Sequence, residues 1–266
     1  MRAPVVPWAI DNIVGFSIQY SSMNEALIRI NNIPIYGFGV LAVVAFLWGS
    51  FVYYKKASEV HFEDKIILDS VVLCAFWGFI VGRFVYTLLN WQTFWGHFSR
   101  ILLLTNYPGI DRWGVFVGIA LGLWLCLRKI KVKFLDWFDV VCLGISAGTA
   151  VFLAGLAILA FRWQFTVLAI LYLGAFIYFW RAEETYRVLD WYRNNKTSAK
   201  SGYITGLSMA VWGVLFLVEQ WLKRSFSWPY GVWAGALFVG GLVLVYIRSG
   251  RTVSDDIKIV FKHGKK

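Results

Sequence analysis

One guanidinium stands inside an apolar run long enough to cross a bilayer: Arg83, in Gly82-Arg83-Phe84-Val85-Tyr86, within Ile66 to Leu89. A cation at the centre of hydrocarbon costs at least about 2.5 kcal/mol, so Arg83 is expected to face protein, a lipid headgroup or water. Two compatible chemistries suit it. It can form a structural ion pair with Glu219, neutralising two costly charges, or it can take a lipid phosphate on its planar fork by two parallel hydrogen bonds. Tyr36, at the start of another apolar run, is either an interfacial belt aromatic or a donor to such a headgroup. Arg112 and Trp113 open a third run, and Glu219 closes a later one just before Lys223 and Arg224. Asp69 and Asp139 read as helix N-terminal acids rather than proton-relay groups.

Other chemistry is thinly represented. Cys74, Cys126 and Cys142 lie inside apolar runs without paired spacing, as packing residues do. His61, His97 and His263 lie in polar flanks with no metal-ligand spacing, so neither a metal nor a cofactor is expected. The sequence contains no Gly-rich phosphate loop, no Gly-x-Ser-x-Gly and no metalloprotease His pair.

The elements that must position these residues are membrane helices. Of the 266 residues 59% are hydrophobic and 15% charged, against about 25% charged in an ordinary soluble domain. Apolar runs of spanning length, roughly 20 residues, recur at Ile33 to Tyr54, Ile66 to Leu89, Pro108 to Leu127, Trp137 to Ala160, Gln164 to Trp180, Tyr203 to Trp221 and Pro229 to Ile247. Helices satisfy their own backbone in lipid, and strand alternation is absent. The expected fold is an all-α polytopic bundle of seven transmembrane helices. Residues 1–32 form an extracytoplasmic N-terminal segment without the marks of a cleavable signal. Residues 33–250 form the transmembrane domain and 251–266 a basic cytoplasmic tail. Arg181 to Ser201, the longest hydrophilic stretch, reads as a helix extension and a turn with its tip at Asn194 to Ser198.

The net charge of +11 is distributed as membrane orientation requires, so nucleic acid need not be invoked. Eighteen Lys and Arg flank the ends that include Lys55, Arg128, Arg181 and Arg248; seven flank the opposite ends, at Arg2, Arg29, Arg100, Arg112, Arg162, Lys223 and Arg224. The positive-inside rule then places the N-terminus outside and the C-terminus in the cytoplasm. Arg83 falls about 9 Å below the outer end of its helix, at 1.5 Å per residue. Tyr36, Arg112, Trp113 and Glu219 fall at similar depth, whereas Asp69 and Asp139 belong to the inner rim.

In this order the residues resemble the prolipoprotein diacylglyceryl transferase family of bacterial inner-membrane enzymes. Ile33-Pro34-Ile35-Tyr36-Gly37 is similar to the family's first-span entry. Gly82-Arg83-Phe84-Val85-Tyr86, with Asn90-Trp91 after it, resembles the second-span Gly-Ala/Gly-Arg-x-x-Tyr. Pro108-Gly109-Ile110-Asp111-Arg112-Trp113-Gly114 falls where the family has Gly-x-Ser-Phe-His-Gly-Gly, and Gly213 to Arg224 resembles its sixth-span run. There are departures: Trp113 stands where the family has His. Ala147 to Ala157 lacks the Arg and Asn of the fourth-span signature, and Leu215 or Phe216 replaces the sixth-span Arg.

The resemblance implies transfer of a diacylglyceryl group from phosphatidylglycerol to the cysteine thiol of a lipoprotein precursor. It implies a substrate site drawn from Tyr36, Arg83, Tyr86, Arg112, Trp113, Gly114, Glu219, Lys223 and Arg224, with Glu219 the candidate base. The alternative is a descendant that has lost catalysis and binds an anionic phospholipid or a lipoprotein precursor. A small-solute transporter is the third reading, and the chain shows neither the inverted repeats nor the paired broken helices of that class.

Overall fold

A computed structural model describes residues 26–30, 33–94, 101, 109–128, 130, 133–192, 201–222 and 228–249. Six of its helices are long and apolar enough to cross a membrane: α1 (Gly37–Glu59), α2 (Asp64–Leu89), α5 (Phe134–Ala160), α6 (Trp163–Tyr192), α7 (Tyr203–Leu222) and α8 (Trp228–Arg248). A four-residue turn, α3 (Trp91–Phe94), follows α2, and a shorter apolar helix, α4 (Arg112–Leu127), follows in turn. The helices turn large apolar side chains outward, among them Val72, Phe76 and Phe84 on α2 and Val232, Trp233 and Val243 on α8. This is the surface of a multi-pass membrane protein.

The expected boundaries shift where local chemistry stops a helix. Pro34 interrupts the first run, and Ile33–Tyr36 forms a strand, β2, paired antiparallel with β1 (Ala26–Ile30); α1 begins only at Gly37. This short hairpin lies partly in the N-terminal segment to which the sequence reading assigned no structure. The third run starts its helix at Arg112 rather than Pro108, because Asp111 caps it: its backbone is extended and its carboxylate accepts from the Gly114 N–H at 2.9 Å. At 16 residues α4 is about 24 Å long, short of the roughly 30 Å of a hydrocarbon core. The fifth run continues past Trp180 to Tyr192, as the extension reading required.

The chain divides into two compact units. The described part of the first is the last turns of α1, then α2, α3, α4 and the start of α5, within residues 54–138. α1 ends in a two-bond carbonyl cap, with His61 N–H donating to Ser58 O at 3.0 Å and Phe62 N–H to Ala57 O at 3.1 Å. His61 takes the left-handed φ of 63° that this cap needs. The turn delivers Phe62 flat against Trp137, with ring centroids 4.0 Å apart, and Tyr54 donates to Asp64 at 3.1 Å to tie α1 to α2.

α2 and α4 pack antiparallel along a seam of small residues. A Cβ at Gly114 would lie 2.8 Å from Gly82 Cα, one at Gly118 2.7 Å from Gly78 Cα, and one at Gly122 2.9 Å from Cys74 Cα. In lipid, where apolar side chains gain nothing by hiding from hydrocarbon, close backbone approach of this kind is what holds helices together.

The described part of the second unit is the hairpin, α1 up to Tyr53, α5 from Asp139, and α6, α7 and α8. Here α1 and α5 run antiparallel through Gly49 and Gly144, with Leu41 against Gly155, while α7 and α8 meet at Gly206, Gly213 and Gly241. Asp139 on α5 accepts from the N–H groups of Gly202 and Thr205 at 2.7 and 2.6 Å and from the Thr205 hydroxyl. It is thus a helix N-terminal acid, as expected, but the N-terminus it caps belongs to α7. Cys74, Cys126 and Cys142 are all free thiols.

Candidate functional site

Gly82, Arg83 and Tyr86 share one face of the last turns of α2, at spacings of three and four. Because the glycine seam lets α4 come so close, the α2 backbone itself is within reach: Asp111 N–H donates to Gly82 O at 3.0 Å. Asp111 therefore serves two helices, fastening its main chain to α2 while its carboxylate caps α4.

Arg83 is 5% exposed. Its Nε–H donates to Ile101 O at 2.9 Å and its Nη1–H to Gly109 O at 2.8 Å. The guanidinium carbon lies 5.5 Å from the centre of the Tyr86 ring and 5.4 Å from that of Phe94, within cation–π range of both. Hydrogen bonds to a charged group contribute about 1.5–3 kcal/mol each, so two of them offset the cost of placing this cation in an apolar helix. Gly109 is confined twice: its φ of 153° suits glycine, and a Cβ there would overlap the Tyr86 ring. Around this centre Thr87 Oγ1 donates to Arg83 O at 2.9 Å, and Asn90 donates through both its N–H and its Nδ2 to Tyr86 O, finishing α2.

Arg112, Trp113 and Gly114 form the first turn of α4, directly after this corner. Arg112 and Trp113 are half-buried, and Trp113 leans on Phe116 with centroids 6.3 Å apart. The first unit thus brings Arg83, Tyr86, Arg112, Trp113 and Gly114 to one end of the α2–α4 pair.

Tyr36 and Glu219 belong to the second unit. Since α1 runs antiparallel to α5 and α7 starts beside Asp139 at the start of α5, Tyr36 and Glu219 share the end at which α5 finishes. Glu219 is 5% exposed on α7, beside buried Gln220. Lys223 and Arg224 lie outside the described residues.

Comparison with known proteins bears on this arrangement. The model of the prolipoprotein diacylglyceryl transferase family matches residues 25–158. The chain belongs to the prolipoprotein diacylglyceryl transferase family. It is similar to proteins named phosphatidylglycerol–prolipoprotein diacylglyceryl transferase from three bacteria. The protein of Deinococcus radiodurans is 28% identical over 138 residues, covering 50% of this chain and 41% of the relative. That of Caldanaerobacter subterraneus is 22% identical, covering 47% and 49%. That of Finegoldia magna is 22% identical over 233 residues, covering 85% and 92%. The chain thus spans about half the length, or less, of the first two relatives.

The matched stretch contains Tyr36, Arg83, Tyr86, Arg112, Trp113 and Gly114, whereas Glu219, Lys223 and Arg224 lie beyond it. Three residues of the corner carried no role in the sequence reading. Asp111 had a signal, since an Asp just before an apolar periodic run is a helix start. Gly109 had one in the Pro-Gly dipeptide. Phe94, stacked against Arg83 from a separate short turn, had none.

Proposed function

We propose that this chain performs the reaction for which its relatives are named, on phosphatidylglycerol and a lipoprotein precursor, in a bacterial inner membrane with its N-terminus outside. The thiol sulfur of the precursor's cysteine attacks the glycerol carbon that bears the phosphate ester. A carbon–sulfur bond forms as the carbon–oxygen bond breaks, the electron pair leaves with glycerol phosphate, and the thiol proton passes to a base. Glu219, buried on α7, is the candidate base. By the family resemblance, Arg112, Lys223 and Arg224 supply the positive field that favours the leaving phosphate and Tyr36 donates to the headgroup, while Arg83 holds the corner from which Arg112 starts. Tyr86 and Gly114, packed on Gly109 and Gly82, hold the corner, and Trp113 stands beside Arg112 in the first turn of α4.

What supports this reading most is that Gly82, Arg83 and Tyr86, which resemble the family's second-span motif, lie within the family-matched stretch and pack on the chain entering α4. A second reading rests on the departures from the resemblance: Trp113 falls where a His is expected, and Ala147 to Ala157 carries neither Arg nor Asn. On that reading the chain binds phosphatidylglycerol or the precursor without reacting it. Purified protein incubated with phosphatidylglycerol and a lipobox peptide distinguishes the two. A thioether-linked diacylglyceryl peptide supports transfer, whereas retained lipid without product supports binding alone.

A further inference from the structure

The geometry points to Arg83 as a positioning residue that acts through the Gly109–Trp113 corner, rather than as the group that grips the lipid phosphate. A guanidinium offers two edges to a bidentate oxyanion, one formed by Nε and Nη2 and the other by Nη1 and Nη2. In this chain the Nε–H of the first edge is committed to Ile101 O, and Nη1 of the second gives one of its two hydrogens to Gly109 O. Tyr86 and Phe94 lie over the guanidinium. A phosphate could take the Nε–Nη2 edge only by releasing Ile101 O, and at the other edge it would share Nη1 with Gly109 O.

What the two bonds accomplish is legible from their neighbours. Gly109 is pressed on the Tyr86 ring, and two residues later the Asp111 N–H is fastened to Gly82 O while its carboxylate caps α4 at Gly114. Arg83, Tyr86 and Gly82, all on one face of α2, therefore fix the path of the chain into α4. The first side chains to emerge from that fixed corner are Arg112 and Trp113. Arg112, half-buried in the first turn of α4, is then the cation presented to the headgroup, and Arg83 sets where it stands. The use of the corner for lipid rests on the function proposed above, but the clamp itself does not.

The test uses the full chain in nanodiscs of equal phosphatidylglycerol and phosphatidylcholine, with Arg83→Lys, Arg83→Gln and Gly109→Ala variants. Amide hydrogen exchange at residues 109–114 reads the clamp without reference to any ligand. All three variants are expected to speed exchange of the Asp111 and Gly114 amides by about tenfold or more, as loss of one charge-assisted bond implies, with residues 205–215 unchanged. Wild-type protection in both Arg83 variants would overturn the clamp. Gly109→Ala keeps the cation, so it answers even if the Arg83 variants do not fold, and unchanged exchange there is equally contrary.

Retained lipid gives the second readout. Arg83→Lys keeps the charge but cannot span two carbonyls, so its preference for phosphatidylglycerol should fall as far as that of Arg83→Gln. Rescue of the preference by Lys would make Arg83 a phosphate contact and refute the positioning role. If the wild type shows no preference for phosphatidylglycerol, the lipid reading fails while the exchange result still decides the clamp.

Discussion

Replacing Gly118 by alanine places one methyl group where the α2–α4 seam has no room for it. Its Cβ would stand 2.7 Å from Gly78 Cα and 2.7 Å from the Trp77 carbonyl carbon, both backbone atoms that cannot rotate aside. Carbon atoms pack at about 3.5–4.0 Å, so the helices must separate by roughly 1 Å. Gly114 and Gly122 are equally close along the same line, and a separation at Gly118 loosens their contacts too. Overpacking of this kind costs about 1–3 kcal/mol. Alanine also gains about 1 kcal/mol of helix propensity over glycine, and a control removes that contribution. Gly174 on α6 is helical and has nothing within 4 Å of an added Cβ. The difference in stability between Gly118→Ala and Gly174→Ala should therefore be about 1–3 kcal/mol in favour of Gly174→Ala. Reversible unfolding in mixed micelles, titrated with a denaturing detergent, measures it. Equal stability of the two variants would refute the close seam, and with it the approach that lets Asp111 reach Gly82 O.

Three further outcomes are expected. Asp139→Ala removes the acceptor for two N–H groups and a hydroxyl at the start of α7, and should lower stability by about 2 kcal/mol in the same titration, with faster amide exchange at Gly202 and Thr205. Single cysteines introduced at Arg162 and at Ser201, in a chain with Cys74, Cys126 and Cys142 replaced by alanine, should react from opposite sides of the membrane; an impermeant thiol reagent added to intact cells should label the first alone. Glu219→Gln should leave retained phosphatidylglycerol unchanged but slow transfer by about 10²–10⁴-fold if Glu219 takes the thiol proton. An unaltered rate would remove it from that role.

The helices were legible in the sequence because lipid imposes a simple constraint, a run of apolar residues with its backbone satisfied internally, and all six long helices overlap expected runs. Their ends were less legible, since they depend on particular caps. Gly37 rather than Ile33 begins α1 because Ile33–Tyr36 finds a strand partner in Ala26–Ile30, a pairing that hydropathy does not report. Arg112 rather than Pro108 begins α4 because of the Asp111 carboxylate. Arg83 is marked out by its cost, yet its two hydrogen-bond acceptors described above are main-chain carbonyls. Carbonyls leave no trace in residue type, so only the fold could supply Ile101 O and Gly109 O. Asp139 shows the same limit: its class of role was readable from its place near a helix start, but the helix it caps begins more than sixty residues later.

The central claim of the proposed function is that a chain with this α2–α4 corner moves a diacylglyceryl group, although the resemblance sets Trp113 where a His is expected. Mass spectrometry of a lipobox peptide after incubation with the purified protein and phosphatidylglycerol tests it most directly. The account predicts a peptide heavier by one diacylglyceryl group on its cysteine thiol, with glycerol phosphate released in equal amount. An unmodified peptide, under conditions in which the Finegoldia magna relative modifies it, would contradict the account.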